Sequence, residues 1–134
     1  MSYADLAAEA NQYSSVLREI RRELHQIPEF GLQLPKTLAR VLESIEGLGE
    51  ITIGKSITSA VLHIKGGQPG PTVLLRADMD ALAVIEDTGL EFASINGYMH
   101  ACGHDTHTAM LVGAAKLLSA RKADITGRVL FMFQ

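Results

Sequence analysis

Apolar residues recur at steps of three and four from Leu6 through Ala10, Tyr13, Leu17, Ile20 and Leu24. This spacing lays one stripe along a helix and predicts a single helix over residues 4–26, ended by Pro28. Arg18, Arg21, Arg22 and Glu23 fall between the apolar positions and are expected in solvent. A second helix is expected from Pro35, with Leu38, Val41, Leu42 and Ile45 turned inward and Gly47 and Gly49 stopping it. The pattern then changes period. Residues 51–53 and 60–64 are short and β-branched or alternating, and the Gly- and Pro-rich run 66–71 reads as a turn. Together they predict a hairpin leading into residues 72–76, apolar enough to be a central strand. Residues 106–120 are Ala- and Leu-rich and predict a largely buried helix, with Gly113 marking close packing. Residues 128–133 form a further continuous apolar strand. Helices followed by strands, a helix and a strand imply an α/β fold with a mixed sheet flanked by helices. No repeat or linker divides the chain. It stops flush with the last strand, so it is expected to be part of a longer domain. For want of neighbours, Leu130, Phe131 and Phe133 are expected to leave apolar surface exposed.

Composition narrows the class only slightly. The chain has 134 residues, 47% hydrophobic and 20% charged, which suits one ordinary globular core. The formal net charge of −3 supplies no basic field for nucleic acid or an anionic membrane. No apolar run approaches the ~20 residues of a membrane span. With a single cysteine there is no intrachain disulfide, and residues 1–15 lack the basic and apolar regions of a signal peptide. A cytoplasmic setting is therefore expected.

Chemistry concentrates in two places. Residues 100–107 hold His100, Cys102, His104, Asp105 and His107. Thiolate and imidazole suit zinc and similar borderline metals, and Cys102 and His104 are separated only by Gly103, so in an extended turn both can face one way. The plainer reading is a polar helix start, with Asp105 or Thr106 as N-cap, Cys102 as a small core residue and surface histidines. A third possibility makes Cys102 a nucleophile with His100 or His104 as base. The second cluster, Arg76-Ala77-Asp78-Met79-Asp80, lies at the C-terminal end of the 72–76 strand, where α/β sheets gather ligands. Asp78 and Asp80 share one face if the strand continues. They can bind a metal, orient a ligand, or simply fix a turn and pair with Arg76.

Two motif matches are set aside. Residues 49–56 satisfy a nucleotide-binding P-loop pattern. However, a helix precedes them, their interior is Ile-Thr-Ile, and strand-forming residues follow. His104-Asp105 matches the dipeptide of metal phosphohydrolases, but the comparable ones are all-helical.

Three segments taken together resemble the M20 peptidase and amidohydrolase family, in its hippurate hydrolase and auxin-conjugate hydrolase branch. They are Arg21-Arg22-Glu23-Leu24-His25-Gln26-Ile27-Pro28-Glu29-Phe30-Gly31, the stretch from Gly66 to Leu82, and Met99-His100-Ala101-Cys102-Gly103-His104-Asp105-Thr106-His107. Ala83 departs from the proline usual there. The resemblance implies that residues 1–134 are the N-terminal portion of a two-metal catalytic domain, without its lid and C-terminal part. It implies hydrolysis of the amide bond of an N-acyl amino acid or short peptide. Two divalent ions per complete site are implied, drawn from zinc, manganese, cobalt or nickel. By the same resemblance Cys102 and His104 are metal ligands and Asp80 orients the metal centre. Asp78 stands where other branches have a ligand histidine. The family continues past the equivalent of Gln134 with Pro-Ala-Glu-Glu, a general base and a further ligand. This polypeptide alone is thus expected to be inactive, a fragment with at most partial metal binding. A homo-oligomer is compatible with the full-length relative.

Overall fold

A computed structural model describes residues 2–134. Its elements are α1 (Tyr3–Asn11), α2 (Ser14–Gln26), α3 (Pro35–Ile45), β1 (Glu50–Ile53), β2 (Ala60–Lys65), β3 (Gln68–Ala77), α4 (His104–Ala120), a short 3-10 turn (Lys122–Asp124) and β4 (Thr126–Phe133). The four strands form one sheet in the order β1-β2-β4-β3, antiparallel except for the parallel pair β3 and β4. This is an α/β fold with a mixed sheet and helices against it.

The single helix expected over residues 4–26 is instead two. It breaks at Gln12 and Tyr13, whose backbone N–H groups bond back three residues, to Glu9 and Ala10. The local sequence Asn-Gln-Tyr-Ser-Ser propagates a helix poorly. Moreover, α1 buries no residue that would compensate. It is held from outside, by a capping box between Ser2 and Asp5 and an ion pair between Glu9 and Arg121. In α2 the expected face is correct: Ile20 and Leu24 are buried and Leu17 packs against them. It packs closely on α4, where a Cβ on Gly113 would stand 2.6 Å from Leu17 Cδ1. This is the close packing that the glycine predicted.

The strands correct two expectations. Residues 72–76, expected in the middle of the sheet, lie in β3 at its edge among the described residues, with Val73 50%, Leu74 48% and Leu75 36% exposed. The last strand, expected to expose Phe131 and Phe133, lies between β2 and β3 and buries both completely. Pairing on both sides and helix cover on one face protect β4, while β3 is paired on one side only. Exposed apolar surface is present as expected, but on the neighbouring strand. Residues 49–56 run through β1 into a loop, with no helix after them, so the structure also excludes a P-loop.

Past β3 the chain stays extended. Gln134 N–H donates to Ala77 O and Met79 N–H to Gln134 O. Ala81 N–H then bonds Glu29 O, and Leu82 and Met99 pair in both directions across the base of a loop, residues 83–98. That closure returns the chain to the turn that opens α4.

Candidate metal centre

The sequence places Asp78 and Asp80 one residue apart on an extended segment, and Met79 between them is fully buried. Alternation therefore turns both carboxylates to the opposite side. They stand at the C-terminal ends of the parallel pair β3 and β4, beside a cleft of ≈ 310 Å³ that also receives Arg76, His104 and Gln134. A larger groove at the other end of the strands, around Gly66–Gly70, has no converging set of three ligand atoms among the described residues.

Helix α4 brings the histidines. It starts at His104 after Gly103, which adopts φ 84° in the left-handed region and gives the first turn no side-chain cap. Neither Asp105 nor Thr106 is the N-cap, contrary to the plainer reading of this segment. His104 Nδ1 lies 2.9 Å from Asp80 Oδ1 and 3.0 Å from Asp80 O. Both are acceptors, so Nδ1 carries the proton. The lone pair of the neutral ring is then on Nε2, which faces Asp78 Oδ2 at 3.9 Å. His107, one turn on, stacks on His104 with ring centroids 5.5 Å apart, and its Nδ1 is 3.6 Å from Asp78 Oδ1. One ligand atom from each of Asp78, His104 and His107 falls within 4.8 Å of the others.

These distances are too long for good hydrogen bonds yet short enough to share a cation. A carboxylate oxygen with two imidazole nitrogens is a donor set for a borderline divalent metal. The carboxylate behind His104 is the usual support of a histidine ligand. The residues present therefore fit a divalent cation. Burial acts to raise the Asp78 carboxyl, but His104 whenever it is protonated, the Arg76 guanidinium, its own backbone N–H and His107 outweigh it and hold it below its ordinary value.

Of the residues singled out in the sequence, the fold joins Asp80 to His104 and adds Asp78 and His107. Cys102 sits in the turn before α4 with an exposed side chain, neither a core residue nor one of the group of three. No hydrogen bond joins it to His100 or His104 among the described residues, so the nucleophile reading lacks its base. His100 is not a surface histidine. It is 4% exposed, and neither ring nitrogen has a hydrogen-bond partner. Burial is the largest cause that pushes its imidazole below the ordinary value, against the opposing pull of Asp105.

Behind the cleft lies a network that sequence reasoning missed. His25 on α2 is buried, with Nδ1 2.7 Å from Asp105 Oδ2 and Nε2 3.0 Å from Glu86 Oε1. Arg21 Nε approaches the same Asp105 oxygen at 2.8 Å, so Arg21 is not simply solvated. Glu86 also accepts from Thr88 Oγ1 at 2.6 Å and Ser94 N at 2.7 Å. Burial would raise its carboxyl, but these bonds and that to His25 bring it down to about 2. One signal was available: Arg21 and His25 are four apart, on one helix face, and His25 is next to the buried Leu24. Nothing local pointed to Glu86 or to the burial of Asp105.

Residues 74–134 match the family model of peptidase family M20/M25/M40. The chain is 47% identical over 116 residues to an N-acyl-L-amino acid amidohydrolase of Geobacillus stearothermophilus, covering 85% of this chain and 31% of that protein. It is 49% identical over 119 residues to thermostable carboxypeptidase 1 of Saccharolobus solfataricus, covering 87% and 30%. Among solved structures it superposes on Bacillus subtilis YXEP protein, described as a dinuclear metal binding peptidase from the M20 family. The TM-score is 0.84 and the identity 41%, over 92% of this chain and 36% of that one. The chain thus spans about a third of the length of the relatives it matches.

Proposed function

Because this chain belongs to the M20 peptidase family, we propose that it supplies one wall of a divalent-metal centre that hydrolyses the amide bond of an N-acyl amino acid or short peptide. The observation that carries the reading is the orientation of His104: Asp80 takes its Nδ1–H, which leaves the Nε2 lone pair toward Asp78 and beside His107.

When bound, a divalent metal supplies Lewis acidity toward an acyl carbonyl and lowers the pKa of water. The chain's own residues do the rest of what is assigned here. Asp80 fixes the ring and tautomer of His104 and raises its basicity as a ligand. Asp78 offers a carboxylate oxygen, ionised at neutral pH and steadied by Arg76 at 3.4 Å. His107 offers Nδ1. Cys102 is included as a thiolate ligand on the strength of the family resemblance, in a cytoplasmic, reducing setting. Residues 1–134 act as the N-terminal portion of the catalytic domain, and the general base and remaining ligands come from the two-thirds of the relatives' length not spanned here. The relatives named for amidohydrolase and carboxypeptidase activity support a small acylated or peptide substrate. Two metals per complete site, from zinc, manganese, cobalt or nickel, complete the proposal.

The test has two arms. Isothermal titration of the chain with Zn²⁺ or Co²⁺ is expected to show binding that His104→Ala removes. Hydrolysis of hippurate and N-acetyl amino acids, with zinc, manganese or cobalt added, is expected to stay near background for these residues alone. Absence of binding would overturn the metal centre. Robust turnover abolished by Cys102→Ala would show instead that these residues hold a complete site.

A further inference from the structure

We propose that His25 is a positioning residue for the metal centre. Its imidazole, buried at 2% exposure, spans two carboxylates on two different segments: Asp105 at the start of α4 and Glu86 in the 83–98 loop. The inference rests on the reading of His104 as a ligand and adds what holds His104 in place.

Two features make the ring more than a core hydrogen bond. Helix α4 begins on a left-handed glycine with no side-chain cap, so its direction is set by what its first residues bond on other segments, Thr108 Oγ1 donating to Asp78 O at 2.8 Å among them. The buried anchor is Asp105, the next residue after His104. Its side chain is completely buried, with Oδ1 accepting from Thr106 N–H at 2.9 Å and Oδ2 facing His25 and Arg21. A shift of Asp105 therefore turns the helical turn that carries His104 and His107 together. The second feature is the loop. Asp80 precedes it and the Cys102–His104 turn follows it, and its ends are joined by the Leu82–Met99 pair. Glu86 closes the body of the loop on Ser94 and Thr88, and His25 fastens that body to α2. One ring thus holds both sides of the 2.9 Å contact between His104 and Asp80.

Imidazole suits the place for a specific reason. Each nitrogen meets a carboxylate oxygen, and each bond needs an N–H. Arg21 Nη2 also lies 3.5 Å from His25 Nδ1, but the 2.7 Å carboxylate contact claims that nitrogen as a donor. A glutamine at this position has one donor group and one acceptor oxygen, so it turns its oxygen against one of the two carboxylates.

The experiment uses Co²⁺ alone as probe on the intact chain, with visible absorption and titration calorimetry as readouts. Circular dichroism checks folding. His25→Gln and Glu86→Gln are expected to bind cobalt about 10-fold more weakly and with altered absorption bands. Ile45→Val removes a methylene from the core on α3, and it is expected to lower stability yet bind like the parent. A folded His25→Gln with the parent's affinity and spectrum overturns the inference. If His25→Gln does not fold, Glu86→Gln decides, because it keeps the His25–Asp105 bond and weakens only the loop anchor. Equal loss of affinity in Ile45→Val also overturns it, since any destabilisation would then suffice. Failure of the parent chain to bind cobalt overturns the metal reading itself. Parent binding with unchanged variants overturns only the role of His25.

Discussion

Two groups of acids and histidines lie on either side of the start of α4, and they are built to opposite rules. In the closed group, His25, Asp105 and Glu86 have side chains 3%, 0% and 0% exposed, with contacts of 2.7 and 3.0 Å. In the open group, Asp78, His104 and His107 are 30%, 21% and 48% exposed, with contacts of 3.9 and 3.6 Å. The closed group spends its donors and acceptors on itself, as buried polar groups must. The open group sets one ligand atom from each residue within 4.8 Å of the others, at separations too long for good hydrogen bonds. A cluster that holds the fold and one proposed to hold an ion can draw on the same residue types. Distance and exposure tell them apart.

The contrast breaks most visibly in stability. Asp105→Ala leaves the buried Nδ1 of His25 without its carboxylate and removes the partner of half-buried Arg21, and is expected to cost about 3–5 kcal/mol. Asp78→Ala, in the open group, is expected to change stability by less than about 1 kcal/mol. Urea midpoints of the metal-free variants measure both, and comparable losses would erase the distinction. Next in size is affinity. Asp80→Ala removes the support of His104 Nδ1 and is expected to weaken zinc or cobalt binding by about 10–100-fold, with little change in the urea midpoint.

A smaller effect follows from pH. The Glu86 carboxyl is depressed from its ordinary 4.5 to about 2 in the fold. Its stabilisation is therefore complete above pH 4.5 and drains away as pH falls toward 2. Glu86→Gln is expected to flatten the acid limb of stability across that window. Thermal melts at successive pH values would show it, and an unchanged limb would contradict the role of Glu86. The least effect concerns Cys102. Its exposed thiol is expected to react readily with iodoacetamide, and a few-fold more slowly with Zn²⁺ present if the thiolate is a ligand. Equal rates would remove Cys102 from the proposed ligand set.

Much of this was legible in one dimension. The helical stripe of α2, the close packing at Gly113, the α/β alternation and the rejection of a P-loop all follow from periodicity and local geometry, which neighbouring residues dictate. So does the sharing of one face by Asp78 and Asp80, because an extended chain alternates. The crowding of metal-ligating residue types into residues 99–107 was likewise visible in the sequence, though not which of them converge. Strand order was not. Residues 72–76 and 128–133 both read as apolar strands, and only pairing with β2 decides that β4 is interior and β3 an edge. The site divides the same way. Sequence proximity brought forward Cys102 and His104, yet the partner of His104 is Asp80, and the nitrogen it leaves free was set by a hydrogen bond across a 16-residue loop, 83–98. His25, Asp105 and Glu86 were opaque for the same reason. Whether an acid or imidazole is buried, paired or left open depends on which distant group the fold sets against it, and no local pattern encodes that distance.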